Sequence, residues 1–158
     1  MRLTKEEERM LSGEEGEGFR KAMEIQVKQG EFYDAECMVP ISIAYIVRGK
    51  TSPKQNQPYT FLKQLADQGA YFKCPTVYTS MSADKEGNEL DRKMGAMFCI
   101  AMLGTPVDLY PRPVFGQIMT AAGSNVTAYC NAIIGARSNL EGGVGNYLCA
   151  ITGRSPLY

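Results

Sequence analysis

The sequence predicts an α/β fold, a mostly parallel sheet assembled from βα units with helices on both faces. Three observations carry this expectation. Apolar, β-branched runs alternate with stretches of helical periodicity along the chain, the pattern of successive βα units. The strand candidates are apolar almost without interruption, as strands covered on two faces are, rather than alternating as a half-exposed sheet would. Glycine closes each main helical stretch, at Gly13, Gly30, Gly69, Gly104 and Gly135. A length of 158 residues suits one domain, 1–158, with a core of its own.

The elements follow in order. Thr4 and Glu7 have capping-box spacing and open a short helix that Gly13 ends. A second helix is expected over roughly residues 15 to 29. Phe19, Ala22, Met23, Ile25 and Val27 form its apolar face, acidic residues fill its first turn, and Gly30 is its left-handed stop. The run C-M-V-P-I-S-I-A-Y-I-V from Cys37 reads as one buried strand with Pro40 near its start. Residues 48 to 58 are a polar loop. Pro58 then opens a helix carrying Phe61, Leu62, Leu65 and Ala66 to a stop at Gly69.

The cycle repeats with A-Y-F-K-C-P-T-V-Y-T as a strand, and a helix in which Met94, Met97, Phe98, Ala101 and Met102 form a core-packing stripe closed by Gly104. T-P-V-D-L-Y is a third strand candidate, and P-R-P-V-F-G is a loop. Ser124 is the N-cap of a helix that places Val126, Tyr129, Cys130, Ile133 and Ile134 on one face and ends at Gly135. A last helix, Asn146 to Ile151, runs out into T-G-R-S-P-L-Y.

Composition narrows the chemistry. Acidic and basic residues balance at 17 each, so no global field steers the chain to nucleic acid or an anionic membrane. The charged N-terminus lacks the apolar run of a signal peptide and no stretch approaches a membrane span, which makes a soluble cytoplasmic protein the expectation. The five cysteines, Cys37, Cys74, Cys99, Cys130 and Cys149, show no CxxC spacing, and read as small core residues rather than a disulfide framework or a local zinc site. Histidine is absent. Triads built on imidazole and histidine metal sites are therefore excluded.

The candidate site is G-A-R-S-N-L-E-G-G, Gly135 to Gly143. Its glycines permit close backbone approach, Arg137 offers a fork for a carboxylate or phosphate, Ser138 and Asn139 can orient hydroxyls, and Glu141 can accept a proton. The competing reading is a helix cap followed by a solvated turn. Arg154 and Ser155 in T-G-R-S-P are a second polar pair, or simply the exit from the last helix. Cys74 and Thr76, in K-C-P-T, are placed at a strand's C-terminal end, where open α/β sheets put their ligands.

Two long stretches carry a family likeness. L-T-K-E-E-E-R-M-L-S-G-E-E-G-E-G with V-P-I-S-I-A-Y-I, and S-N-V-T-A-Y-C-N-A-I-I-G-A-R-S-N-L-E-G-G with A-I-T-G-R-S-P-L-Y, resemble the N-terminal portion of the aconitase X catalytic subunit. The resemblance implies an aconitase-like three-layer fold and hydro-lyase chemistry on a small hydroxylated acid, mevalonate 5-phosphate or cis-3-hydroxy-L-proline. It implies an iron–sulfur cluster, and a swivel-type small subunit or the remainder of the large subunit as the partner that completes the site. It places Asn131, Arg137 and Asn139 on a small anionic substrate and Ser138 as the catalytic position; the expected strand-end location adds Thr76 as a substrate-binding candidate. Three positions depart from the family pattern: Ala44-Tyr45 stands for an A-H pair, Gly116-Gln117-Ile118 for G-E-H, and Val107 for the expected cluster cysteine. An alternative implied by the same departures is a small-acid binding or assembly module without a cluster.

Overall fold

A computed structural model describes residues 1–47, 57–80, 84–99 and 112–158. Its centre is a five-stranded parallel sheet in the order β4-β3-β2-β5-β6, with β2 at Ile43–Tyr45, β3 at Thr76–Ser80, β4 at Met97–Cys99, β5 at Ile118–Ala121 and β6 at Arg137–Ser138. Ala44 pairs with Val77 on one side and Thr120 on the other. The expected α/β fold with helices on both faces is what forms. One face carries Ala44 and Val77 against α2 (Glu17–Phe32), α3 (Gln57–Asp67) and α6 (Val144–Thr152). The opposite face carries Ile43, Tyr45, Tyr78, Met119 and Ala121 against α5 (Ser124–Tyr129) and the π-helical turn Cys130–Ile134 that extends it.

Helix α6 explains why the fold holds together. Every residue from Gly145 to Thr152 is buried, because the helix lies between the sheet and α2 and must be apolar all round. Complete burial of Leu148 and Ile151 contributes about 2 kcal/mol each. The chain then turns back as β7 (Arg154–Leu157), which pairs antiparallel with β1 (Cys37–Pro40) in a separate two-stranded ribbon. Helix α1 (Lys5–Ser12) starts with the expected capping box, Thr4 N–H donating to Glu7 Oε2 at 2.7 Å and Glu7 N–H to Thr4 Oγ1 at 3.4 Å. Arg154 ties it to the ribbon through Glu6 at 2.7 Å and the buried Glu7 at 3.2 Å.

Several boundaries differ from expectation for identifiable reasons. The run from Cys37 is two strands in two sheets, since Pro40 removes a ladder donor and ends β1 before β2 begins. Helix α2 does not stop at Gly30 but continues to Phe32, and Gly30 is instead a close-contact position: a Cβ there would lie 2.9 Å from Met1 Sδ and 3.3 Å from Ala35 Cβ. The methionine stripe is not one helix. Helix α4 (Lys85–Met94) is capped at its start by Asp84 and stopped by Gly95 at φ 105°, after which Met97 and Phe98 belong to β4. The rest of that expected helix beyond Cys99, Gly104, the strand candidate T-P-V-D-L-Y, Val107 and most of the loop 48–58 lie outside the described residues.

Ser124 is the first helical residue of α5, with Gly123 at the N-cap position, while Gly135 adopts the expected left-handed φ of 74°. β5 and β7 were not expected at all.

Candidate functional site

The G-A-R-S-N-L-E-G-G segment leaves the π-helical turn at Gly135, crosses the sheet edge as β6, and enters α6. Arg137 N–H donates to Gln117 O and Asn139 N–H to Met119 O, which fixes the segment against β5. The Ser138 N–H between them points outward, away from the sheet, and Asn131 receives it: Ser138 N–H donates to Asn131 Oδ1 at 3.0 Å, and Asn131 Nδ2 donates to Ser138 Oγ at 2.9 Å. Asn131 thus covers the exposed edge of β6 and holds the serine. Because Ser138 Oγ is an acceptor in that pair, its own proton remains available to a ligand.

Arg137 is exposed and makes no ion pair with the described residues. Strand alternation turns it to the opposite side of β6 from Ser138. The two donors therefore flank the sheet edge.

Asn139 faces inward and is fully engaged. Its Oδ1 accepts from Thr120 Oγ1 at 2.9 Å and from the Ala121 N–H at 3.1 Å. Its Nδ2 faces Glu141 O at 2.7 Å, Glu141 Oε2 at 3.1 Å and Asn146 Oδ1 at 2.7 Å. Glu141 is buried and accepts a further hydrogen bond from the Tyr158 hydroxyl, so the two signature stretches meet at this carboxylate. Partial burial and the Glu141 carboxylate push the Tyr158 phenol above its usual range. Asn146 Nδ2 is buried without a partner among the described residues.

Thr76 is elsewhere. It is the first residue of β3, not a residue at a strand's C-terminal end, and it pairs with Ile43 at the start of β2. Sheet order puts β2 and β5 between it and β6, three spacings or about 14 Å. Arg154 of T-G-R-S-P is bound to Glu6 and Glu7, which is the structural alternative for that motif.

Three network members were missed from sequence: Thr120, Asn146 and Tyr158. Asn146 carried a usable signal, a lone amide inside V-G-N-Y-L-C-A-I, a segment otherwise apolar enough to be wholly buried. Thr120 and Tyr158 carried none.

The family model described as aconitase X first domain matches residues 1–158. The chain belongs to the aconitase X family. It is 34% identical over 169 residues to the phosphomevalonate dehydratase large subunit of Thermococcus kodakarensis, covering all of this chain and 42% of that protein. It is 28% identical to the cis-3-hydroxy-L-proline dehydratase of Pseudomonas aeruginosa, covering 99% of this chain and 29% of that enzyme. The solved holo-form of Thermococcus kodakaraensis aconitase X superposes with a TM-score of 0.81 at 33% identity, over all of this chain and 42% of that one. The chain therefore spans less than half the length of these aconitase X relatives.

An aconitase relationship raises the question of an iron–sulfur cluster, and the donor set answers for this domain. All five cysteines lie among the described residues, where no group of three or more His, Cys, Asp or Glu converges to hold a metal. Burial pushes the Cys74 thiol up to about 11 and the Cys149 thiol up to about 12, and raises Cys130 as well. A ligand thiolate requires the opposite shift. The described residues do not by themselves fit a cysteine-held cluster. None of the described helices is long and apolar enough to cross a membrane.

Proposed function

We propose that this domain supplies one wall of the substrate cleft of a hydro-lyase that dehydrates a small hydroxylated acid of the mevalonate 5-phosphate or cis-3-hydroxy-L-proline class. The observation that carries the reading is the presence on β6 of an exposed Arg137 with no ion pair among the described residues beside a Ser138 hydroxyl whose proton is uncommitted among them. The guanidinium is a donor only, and the serine hydroxyl, already accepting from Asn131, has its O–H left to donate, which suits an anionic, oxygen-rich ligand. The Arg137 guanidinium binds the carboxylate or phosphate in a bidentate fork. Ser138 donates to a substrate oxygen, and Asn131 sets the serine's orientation. Asn139, saturated by its own contacts, keeps the end of β6 rigid, so the donors need not reorganise as charge develops. Thr76 lies outside this wall. The names of the relatives support the reaction class, and their greater length supports completion of the cleft by the rest of the large subunit, with a swivel-type small subunit closing over it.

Titration of the labelled chain with each acid, followed by nuclear magnetic resonance, tests the binding step. Arg137→Ala should abolish the response, while its melting temperature stays within about 1 °C because no internal partner is lost. A second reading, a small-acid binding or assembly module without turnover, draws on Val107 at the expected cysteine position and on the unfit cysteine set. It predicts the same Arg137-dependent binding but no dehydration when the completing chains are added.

A further inference from the structure

Asn146 lies near the start of the wholly buried helix α6 and is itself 0% exposed. Its Oδ1 accepts from Asn139 Nδ2 at 2.7 Å and from Thr120 Oγ1, while its Nδ2 meets no acceptor among the described residues. Turning the amide over does not cure this. The Ala121 N–H donates to Asn139 Oδ1 at 3.1 Å, which fixes the orientation of that side chain. Asn139 Nδ2 is thereby turned to Asn146, which must answer with its oxygen, so the Asn146 N–H pair is left buried and unmatched. Thr120 adds a second conflict, because its one hydroxyl proton faces both Asn139 Oδ1 and Asn146 Oδ1.

Stability alone does not select these residues. Leucine has nearly the shape of asparagine, and valine that of threonine. Replacing hydrogen-bonded partners together by apolar groups of like shape is close to neutral, whereas a buried donor without an acceptor is destabilising. Asn139 Nδ2 would keep Glu141 O and Glu141 Oε2 even without Asn146. What Asn146 supplies is direction: with its oxygen in place, the Asn139 side chain is held from two elements, β5 through Ala121 and α6 through Asn146. We infer that Asn146 is a positioning residue for the anion-binding donors on β6, acting through Asn139, an inference that rests on the assignment of Arg137 and Ser138 to an anionic substrate. By strand alternation Arg137 shares its side of β6 with Asn139, and Ser138 stands between them. The amide that steadies Asn139 therefore steadies both donors before the anion arrives. Local conflicts of this kind collect at functional sites, where geometry outranks stability.

Two variants of the chain separate position from stability. Thr120→Val removes the contested hydroxyl and leaves Asn146 on Asn139, and adding Asn146→Leu removes both. Hydrogen exchange of the Ala121 and Asn139 amides should stay near the wild-type rate in the single variant and quicken about ten-fold or more in the double one. Leu148 to Ile151 of α6 should be equally protected in all three forms, and the double variant should melt no more than about 5 °C below wild type. Inorganic phosphate, followed at the Arg137 Nε–H, should bind about five-fold or more weakly to the double variant than to the single one. Unchanged exchange at Ala121 and Asn139, or equal phosphate affinity in the two variants, overturns the inference. So does a larger fall in melting temperature or lost protection in α6, since Asn146 then holds the fold rather than the donors. A wild-type chain that binds no phosphate overturns the Arg137 assignment itself, a failure read separately from the exchange rates.

Discussion

Truncating Asn139 to alanine removes the residue that ties β5, β6 and α6 together at one point. The substitution deletes the acceptor of the Ala121 N–H at 3.1 Å and the donor to Glu141 Oε2 at 3.1 Å, and leaves Asn146 Oδ1 with Thr120 alone. Three polar groups in a buried or half-buried setting, the Ala121 N–H, Glu141 O and Glu141 Oε2, lose this partner. Each such loss costs about 1–3 kcal/mol, and water entering from the exposed rim offsets part of it, which puts the sum at about 3 kcal/mol. For a domain of this size that corresponds to a fall in melting temperature of about 6–12 °C. Thermal and urea unfolding followed by circular dichroism read it, with a single cooperative transition expected for a single domain over 1–158. Asn139→Asp separates geometry from charge. It keeps the acceptor but sets a second carboxylate against Glu141, so its aspartate pKa rises on folding, and stability present at pH 4 is lost as the pH rises through that value. A loss below about 1 kcal/mol for Asn139→Ala, with an unchanged denaturant slope, refutes the view of Asn139 as the brace.

Other outcomes follow from the same contacts. Arg154→Ala strips the buried Glu7 of its cation, and should cost about 3 kcal/mol in urea unfolding. The raised thiol pKa values of Cys74 and Cys149 mean that the unfolded chain releases those protons first. Their stabilisation is therefore complete below pH ~8.5, the usual thiol pKa, and declines as the pH rises toward 11, by about 1.4 kcal/mol per pH unit for each thiol; Cys149→Ala should remove one thiol's share of that slope. Gly135→Ala meets Phe115 at 2.6 Å in a left-handed conformation, but that ring is 86% exposed and free to swing away. The expected cost is thus the backbone strain alone, about 1–2 kcal/mol by thermal melt.

What the sequence disclosed was mostly local. The Thr4–Glu7 box and the Gly135 stop depend on residues within a few positions of one another, and each formed as expected; the apolar face expected from Val126 to Ile134 formed only in part, with the helix turning π-helical at Cys130 and Ile133 left 73% exposed. The failures needed information from across the chain. Pro40 separates two strands that belong to different sheets, and nothing near Cys37 announces its partner Leu157. Met97 has helical spacing from Met94, yet the left-handed Gly95 between them makes β4 the continuation. Gly30 looked like a stop because its reason for being small, the approach of Met1, is invisible without tertiary structure.

The site was legible in the same uneven way. Arg137, Ser138 and Asn131 could be named from the motif, and Asn131 and Ser138 do meet. The inward role of Asn139 depends on Thr120 and Asn146, which come from other elements. Thr76 was misplaced because the strand begins at it rather than ending there.

The central claim is that Arg137 and Ser138 grip the anion of a small hydroxy acid from the edge of β6. The most direct measurement is a two-dimensional amide and guanidinium spectrum of the chain titrated with mevalonate 5-phosphate and, separately, cis-3-hydroxy-L-proline. Saturable shifts at Arg137 Nε–H, Ser138 and Asn131 with one of the two acids, lost in Arg137→Ala, are the predicted result. Shifts that persist in Arg137→Ala, or that appear only at residues away from β6 and the π-helical turn, would contradict it.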